Sequence, residues 1–298
     1  MSDLMRRLAD GGVLVADGAM GSMLMQAGLK PGECPERMNL NRPEIVAEIA
    51  KRYREAGADI VQTNTFGASS LKLAIYNLAE KTELINRSAV HLARQAAGDE
   101  ICVAASCGPT GSLMEPYGDL PPEQFAEAFG RQIRALVAEG VDIIFVETMT
   151  DLAEARIALQ QAKRSSPETP VAVTMTFDVT PSGFRTIMGT TIKEAVHVLL
   201  NEGADILGSN CGIGSETMVE VAREFRKHTD SPLLIQPNAG LPQLVGDTAV
   251  YPESPQYMAE QCRKLLEIGV SIVGGCCGTT PDHIAAIREV VDEFSLSH

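Results

Sequence analysis

The sequence predicts a single (β/α)8 TIM barrel, and three observations support this prediction. Eight short apolar runs are each followed by at least one segment with helical periodicity. The length of 298 residues suits one large α/β barrel. No linker or low-complexity stretch interrupts the alternation. We therefore expect residues 1–298 to form one domain.

The first half of the chain contains four of the eight predicted strands. Each is an apolar run of the kind that is buried in parallel sheets. In chain order, the predicted elements are a leading helix at 2–9, a strand at 13–17, a helix at 43–55, a strand at 59–64, helices at 70–78 and 81–97, a strand at 101–106, a helix at 122–139 and a strand at 141–147.

The second half keeps the same alternation. The predicted elements are helix 151–163, strand 171–177, helix 191–201, strand 205–210, helix 215–227, strand 232–237, helix 254–266, strand 270–274 and helix 281–291. Asp151 and Ser215 are predicted N-caps, because short polar side chains accept hydrogen bonds from the free amides of a first turn. A Gly-x-Asp-Ile phrase recurs at Gly57, Gly140 and Gly203, which predicts helix C-terminal turns before strands.

Composition excludes several classes of partner. The formal net charge is −14 and no basic block occurs, so nucleic acid and anionic membranes are poor partners. No apolar run approaches the length of a membrane span, and the first residues lack a signal-peptide core. Seven cysteines, an odd number, fit thiols kept reduced better than a disulfide framework. We therefore expect a cytoplasmic protein.

Polar or sulfur-containing residues stand at or just after the carboxyl ends of the predicted strands. This end of a barrel carries the chemistry in enzymes of this fold. The residues are Asp17, Asn64, Ser106, Glu147, Cys211, Asn238, Cys276 and Cys277.

Cys276 and Cys277 are flanked by glycines in the stretch 274–278 (GGCCG). Adjacent cysteines seldom bond to each other, because their Cα atoms lie about 3.8 Å apart and a disulfide prefers about 5.5 Å. Flanking glycines allow both thiols to face one point. Cys211 ends another apolar run, so we predict that these three thiols bind one metal ion. The alternatives are a buried or redox pair for the adjacent cysteines and a core thiol for Cys211.

The remaining cysteines are expected to be structural. They are Cys34, Cys102, Cys107 and Cys262. Cys107 follows the third strand and is therefore near the same end of the barrel, so its role stays open.

Zinc is the expected ion, because it prefers tetrahedral sites rich in sulfur, and three protein ligands leave one position open. Three thiolates make zinc a weak Lewis acid, yet such an ion still lowers the pKa of an incoming thiol from about 8.5. The resulting thiolate stays nucleophilic, which suits alkylation of a substrate thiol. Our hypothesis for the fourth ligand in the absence of substrate is the amide oxygen of Asn238.

Asp17 and Glu147 have two interpretations. They can cap the turns that follow them, or they can receive a substrate ammonium group. The turn after Asp17 consists of Gly18, Ala19, Met20 and Gly21. Its backbone N–H groups can bind a carboxylate, but it is a poor phosphate loop because it has no lysine. An ammonium receptor, a carboxylate site and a sulfur-rich metal together predict a sulfur-containing amino acid as substrate.

At nearly full length the chain resembles the homocysteine S-methyltransferase family, and within it the homocysteine-binding barrel of cobalamin-dependent methionine synthase. The motifs are 17–21 (DGAMG), 63–67 (TNTFG), 147–149 (ETM), 210–211 (NC) and 274–281 (GGCCGTTP). The resemblance implies zinc on the three cysteines, with the sulfur of homocysteine as fourth ligand. It also implies Asp17 and Glu147 near the substrate amino group and residues 18–21 near its carboxylate. We assign Ser106 to the substrate site, and Asn64 and Phe66 to the methyl-donor side.

The methyl donor is left open between two candidates. Nothing in the chain resembles the folate or corrinoid modules of the full synthase. With no Trp and five Tyr, an aromatic cage for betaine is poorly supplied. Two candidate donors remain: methylcobalamin held by a separate corrinoid protein, and S-methylmethionine. We predict methyl transfer to homocysteine giving methionine. The rival functions are a phosphate- or flavin-binding barrel and a non-catalytic subunit that binds homocysteine and zinc.

Overall fold

A computed structural model of the chain describes residues 2–98, 100–245 and 248–297. Residues 1, 99, 246, 247 and 298 of the predicted domain lie outside the described part. The helices are α1 Asp3–Ala9, α2 Met20–Gln26, α3 Met38–Asn41, α4 Pro43–Glu55, α5 Ser70–Ala74, α6 Thr82–Ala97, α7 Pro122–Ala138, α8 Leu152–Ser165, α9 Ile192–Asn201, α10 Ser215–Arg226, α11 Pro255–Glu267 and α12 Pro281–Ser297. The strands are β1 Leu14–Val15, β2 Ile60–Gln62, β3 Cys102–Cys107, β4 Ile143–Met149, β5 Val171–Met175, β6 Asp178–Thr180, β7 Gly183–Arg185, β8 Ile206–Gly214, β9 Leu233–Asn238, β10 Gln243–Val245, β11 Thr248–Val250 and β12 Ile272–Val273.

Eight of these strands form one parallel sheet that closes on itself. Their order is β1-β12-β9-β8-β5-β4-β3-β2. The first and last strands of this order meet through a parallel bridge between Ala16 and Ile60, and the amide of Asp17 donates to the carbonyl of Ile60 at 3.0 Å. The predicted (β/α)8 barrel is therefore confirmed.

The barrel interior is filled because the strands alternate their side chains between inside and outside. One apolar cluster combines Leu4 and Leu8 of α1 with residues of the barrel strands and with Ala16, which directly follows β1. Its strand members are Leu14, Ile60, Ala104, Ile143, Phe145, Ala172, Ile206, Leu234 and Ile272. Helix α1 therefore closes the amino end of the barrel. The outward-facing residues pack against the helices in a second, larger cluster.

The recurring Gly-x-Asp-Ile phrases join the helices to the strands as predicted. Gly57, Gly140 and Gly203 each have a positive φ, between 80° and 94°, which ends the preceding helix. Each following aspartate accepts the backbone N–H of the neighbouring strand; the pairs are Asp59 with Val15, Asp142 with Val103 and Asp205 with Val171. These bonds help to set the register of adjacent strands, so that their carboxyl ends meet on one face.

Several local predictions needed correction. Ser215 is not an N-cap: Gly214 occupies that position, and the Ser215 hydroxyl donates to Glu253 at 2.5 Å. The predicted turn after β1 is the first turn of α2, which begins at Met20. The antiparallel hairpins β6–β7 and β10–β11 were not predicted. The N-cap Asp151 is confirmed, since its Oδ1 accepts from the amide of Ala153 at 2.7 Å. None of the helices in the described residues combines the length and apolarity needed to cross a membrane.

Candidate functional site

Three cysteine thiols converge at the carboxyl end of the barrel. Cys211 lies near the end of β8, and Cys276 and Cys277 lie in the turn after β12. Their sulfur atoms all lie within 4.8 Å of one another, and the Sγ atoms of Cys211 and Cys277 are 3.8 Å apart. Among the residues that the structure describes, no other group of three or more His, Cys, Asp or Glu side chains is arranged closely enough to hold an ion. The structure therefore brings together the three thiols that the sequence singled out.

Cys211 reaches this position through an irregular strand end. The pairing of β8 with β9 shifts register between Asn210 and Gly214. Cys211 has a φ of +61°, and the next residue, Gly212, has a φ of +76°. A left-handed conformation is uncommon for a non-glycine residue and redirects its side chain.

The turn that carries the other two thiols is held by backbone hydrogen bonds to β9. The amide of Cys276 donates to the carbonyl of Pro237 at 2.8 Å, and the amide of Ala239 donates to the carbonyl of Cys277 at 3.0 Å. A Cβ at Gly278, whose φ is +82°, would lie 2.1 Å from the ring of Tyr251. Only glycine fits this close approach without displacing the tyrosine.

The geometry of this cluster fits a tetrahedral zinc ion. Zinc–sulfur bonds of about 2.3 Å place two thiolates about 3.8 Å apart, which matches the separation of Cys211 and Cys277. The thiols also share charge unequally: hydrogen bonds from the other two cysteines and from Tyr251 lower the pKa of Cys277, while the same cluster raises the pKa of Cys276.

Asn238 lies at the end of β9, beside the cysteine turn. Its side chain is buried, and its Oδ1 has no hydrogen-bond partner among the described residues. A buried acceptor without a donor is unusual and is explained where an ion approaches it. Asn238 is not among the residues that line the adjacent cavity, so its role as a fourth ligand stays a prediction.

The thiols face a cavity of about 260 Å³ at the carboxyl end of the barrel. Its walls come from the segments that follow most of the barrel strands. The lining residues are Gly18, Ala19, Met20, Gly21, Ser22, Met25, Pro35, Glu36, Gln62, Thr63, Asn64, Phe66, Ser106, Glu147, Thr148, Cys211, Gln236, Tyr251, Gly275, Cys276 and Cys277. Most of the predicted site residues are therefore on one cavity; Asp17 and Asn238 are the exceptions.

Two carboxylates line this cavity, Glu36 and Glu147. The oxygens of Glu36 accept hydrogen bonds from the amide of Gly67 and the thiol of Cys34, whereas Glu147 is the candidate receptor for a ligand.

Glu147 lies in β4 and is only 7% exposed, and burial raises the pKa of its carboxyl to about 7. The hydroxyl of Ser106 donates to its Oε1, and the amide of Asn210 donates to its Oε2 at 3.4 Å. A buried carboxylate that keeps part of its hydrogen-bonding capacity free is a suitable receptor for an ammonium group.

Asp17 lies behind the cavity wall. Its carboxylate accepts hydrogen bonds from both the backbone amide and the side-chain amide of Gln62, at 2.8 and 3.0 Å. Burial raises the pKa of Asp17 to about 7, and its charge in turn raises the pKa of Glu147. Gln62 lines the cavity whereas Asp17 does not, so Gln62 stands between Asp17 and the cavity.

The first turn of α2 forms another part of the cavity wall. The N–H groups of Met20, Gly21 and Ser22 are in the first turn, where helix amides have no acceptor within the helix. The turn is tied to the cysteines, because the hydroxyl of Thr279 accepts from Ala19 at 3.1 Å and donates to the carbonyl of Cys276 at 2.7 Å.

The two residues assigned from the sequence to the methyl-donor side, Asn64 and Phe66, both line the cavity. Asn64 donates to the carbonyl of Pro35 and to the side chain of Asn39, both at 2.9 Å. Phe66 is 40% exposed and packs against Gly108, where a Cβ would lie within 2.6 Å of the ring. Cys107 is fully buried and does not line the cavity, and burial raises its pKa strongly.

Sequence reasoning missed several lining residues. Gln62 and Gln236 precede the strand ends that were singled out, and Thr148 follows Glu147 directly, so a wider window around each strand end would have included them. Tyr251 follows the unpredicted hairpin β10–β11 and had no sequence signal.

Comparison with known proteins shows the family of the chain. The sequence profile of the homocysteine S-methyltransferase family matches residues 14–291. The chain is 35% identical to the methionine synthase of Mycobacterium leprae over 97% of this chain and 25% of that protein. It is 33% identical to the methionine synthase of Mycobacterium tuberculosis over 94% of this chain and 24% of that protein. The chain thus spans about a quarter of the length of these relatives.

Solved structures of similar size also match. The metallated form of the homocysteine methyltransferase MmuM from Escherichia coli superposes with a TM-score of 0.79 and 25% identity, over 96% of this chain and 99% of that one. Its oxidized form superposes with a TM-score of 0.80. With a profile match over most of its length and a three-thiol site at the carboxyl end of its barrel, the chain belongs to the homocysteine S-methyltransferase family.

Proposed function

We propose that this chain is a zinc-dependent methyltransferase that acts on the thiol of homocysteine and gives methionine. The observation that carries the proposal is the convergence of Cys211, Cys276 and Cys277 on the wall of a cavity that also contains a buried carboxyl group. Such a cavity has one place for a soft metal and another for a cation. Homocysteine offers a thiol and an ammonium group at the two ends of a short chain.

In this proposal the substrate lies across the cavity. Its thiol is directed to the three cysteines, and its ammonium group to Glu147, which Ser106 orients through a hydrogen bond. Its carboxylate is directed to the first-turn amides of α2, where the helix dipole favours negative charge. Asp17 acts through Gln62, which its carboxylate holds by two hydrogen bonds.

A bound zinc ion supplies the positive charge that keeps the substrate thiol ionised at neutral pH. The substrate sulfur then forms a bond to the methyl carbon, while the bond from that carbon to the donor breaks and its electron pair leaves with the donor. The side chains of Met25 and Phe66 give the donor side of the cavity an apolar lining, which limits competition by water.

For the methyl donor we favour methylcobalamin held by a partner protein or module. The loops that leave the carboxyl ends of four barrel strands expose large apolar side chains, each 40–81% accessible: Phe66, Leu113, Tyr117, Val179, Ile187, Leu241 and Leu244. Exposed apolar groups around a site are typical of a docking surface for a large partner. The similarity to methionine synthases, which are about four times as long as the aligned region, supports the same choice.

S-methylmethionine is the alternative donor. The superposition with the E. coli homocysteine methyltransferase covers 99% of the chain in that structure. A barrel of this size is therefore compatible with a methyltransferase that uses a small donor. A small sulfonium would enter the cavity without a docking partner.

The test is methylation of homocysteine by the zinc-loaded chain, with the methylcobalamin-loaded corrinoid module of a methionine synthase, S-methylmethionine and betaine assayed in parallel. We expect methionine from the corrinoid module. Ile187→Glu and Leu113→Glu should then lower that rate at least fivefold, because charges disrupt the apolar rim, whereas Leu296→Glu, at the 90% exposed end of α12, should not. If methionine forms only with S-methylmethionine, the donor is this sulfonium and not methylcobalamin. Binding of zinc and homocysteine without methionine from any donor would indicate a non-catalytic subunit.

A further inference from the structure

Two residues on the cavity wall have a backbone conformation that is rare for their residue types. Thr148 has a φ of +58° and Cys211 has a φ of +61°. For a β-branched residue such as threonine, this left-handed conformation is an outlier, and it persists only when surrounding contacts enforce it. Both residues lie at register shifts, Thr148 between Val146 and Met149 of β4 and Cys211 between Asn210 and Gly214 of β8.

The side chain of Asn210 joins these two irregular strand ends. Its Oδ1 accepts from the backbone amide of Thr148 at 2.8 Å, and its Nδ2 donates to the hydroxyl of Thr148 at 2.7 Å. A third bond comes from the hydroxyl of Thr174, which donates to Oδ1 at 2.8 Å. Strand β5 lies between β4 and β8 in the sheet. The side chain of Asn210 in β8 therefore reaches past β5 to bond Thr148 in β4.

The same amide lies beside both Glu147 and the cysteine cluster. Its Nδ2 also lies 3.4 Å from the Oε2 of Glu147 and 3.9 Å from the Sγ of Cys276. Asn210 itself is fully buried and is not among the residues that line the cavity.

We infer that Asn210 is a positioning residue that holds Thr148 in its left-handed conformation and thereby fixes Glu147 relative to the cysteine cluster. This inference rests on the proposed function, since it gives Glu147 the substrate ammonium group. Asn210 sets the distance between the group that recognises the ammonium and the group that recognises the thiol. It therefore determines selectivity for a thiol that carries an ammonium at the spacing of homocysteine.

A short side chain at position 210 removes this clamp. In Asn210→Ala the amide and hydroxyl of Thr148 lose their partners, and the left-handed conformation of Thr148 loses its support. Glycine adopts positive φ without strain. A glycine at position 148 therefore needs the clamp much less than threonine does.

The test measures binding of homocysteine and of 4-mercaptobutyrate, which has no ammonium group, to the zinc-loaded protein by calorimetry. The wild-type chain is compared with Asn210→Ala, Thr148→Gly and the double variant. Thr174→Val is the matched control, because it removes another hydrogen bond to the same amide oxygen without touching Thr148. Zinc affinity is measured in each protein by competition with a chromophoric chelator.

We expect Asn210→Ala to reduce the preference for homocysteine over 4-mercaptobutyrate at least fivefold, with a smaller effect on the affinity for 4-mercaptobutyrate. In the double variant this preference should be at least threefold higher than in Asn210→Ala. In Thr174→Val it should differ less than twofold from that of the wild-type chain. If Asn210→Ala does not fold, folding of the double variant demonstrates the same rescue. A preference that changes less than fivefold, a double variant no better than the single one, or failure of both to fold overturns the inference.

These outcomes are separate from failure of the proposed function. A wild-type chain that binds no zinc or does not prefer homocysteine over 4-mercaptobutyrate would reject the proposed substrate site itself. A wild-type chain that does both, with variants that behave like it, would reject only the role of Asn210.

Discussion

The thiols of Cys211 and Cys277 lie 3.8 Å apart, although 66 positions separate them in the sequence. Cys211 depends on the irregular end of β8, and Cys277 on a turn that hydrogen-bonds to β9. Because β8 and β9 are neighbours in the sheet, the barrel itself supplies this approach. The candidate metal site is thus a product of strand order.

Loss of one thiol should abolish stable zinc binding. In Cys211→Ser the hydroxyl replaces the soft thiolate that zinc prefers, so we expect zinc affinity to fall at least 100-fold, measured by chelator competition. Cys102→Ser is the control, because Cys102 lies at the start of β3 and does not line the cavity. Equal zinc affinity in the two variants would contradict the three-thiol site.

Removal of the Glu147 carboxylate should weaken substrate binding but not metal binding. Glu147→Gln keeps an oxygen for the hydroxyl of Ser106 but removes the charge that we propose receives the substrate ammonium group. A hydrogen bond to a charged group contributes roughly 1.5–3 kcal/mol, so we expect the Kd for homocysteine to rise about 10- to 150-fold. Glu154→Gln is the matched control, since Glu154 is also buried but bonds to Thr110 away from the cavity. An unchanged Kd in Glu147→Gln would remove Glu147 from the substrate site.

Asp17 should make the folded chain less stable as pH rises. Burial raises its pKa to about 7 in the folded state, against about 3.9 in an unfolded chain. The folded state therefore holds the proton more tightly, and this stabilising contribution is present below pH 4 and lost as pH rises to about 7. In Asp17→Asn the side chain cannot ionise, and a rotated Gln62 amide can offer its Oε1, which has no partner among the described residues.

We therefore expect Asp17→Asn to match the wild-type chain in its free energy of unfolding near pH 4. By pH 8 it should exceed the wild-type value by on the order of 2–4 kcal/mol. Urea unfolding of both metal-free proteins across this range measures the difference. A difference that does not grow with pH would show that Asp17 is not held in its neutral form by burial.

Gly278 should be essential for the shape of the cysteine turn. Its φ is +82°, and a Cβ there would meet the ring of Tyr251 at 2.1 Å. Gly278→Ala should therefore displace the turn and lower zinc affinity at least 10-fold. Gly183→Ala is the control, because Gly183 also has a positive φ, of +100°, yet no atom lies within 4 Å of its added Cβ. Both variants carry backbone strain, so a zinc affinity lowered equally in both would refute the steric explanation.

The barrel and the three thiols could be predicted from local pattern. Alternation of apolar strands with amphipathic helices depends on short-range periodicity, and the fold class follows from it. The cysteines were recognisable because glycines flank Cys276 and Cys277 directly after a predicted strand, and because Cys211 ends another predicted strand. Parallel strands of a closed barrel present their ends on one face, so a residue that ends a strand already has an approximate position.

The sequence by itself determined the barrel, the end at which the site lies, and the residue types available there. Only the tertiary structure decided which of these side chains share the cavity: it placed Glu147 and Ser106 on the wall, Asp17 behind Gln62, and Cys107 in the core. It also added Tyr251 and the clamp from Asn210 to Thr148. The physical reason is that side-chain direction at a strand end depends on bulges, on left-handed residues and on hydrogen bonds across the sheet. Local periodicity does not encode these long-range contacts.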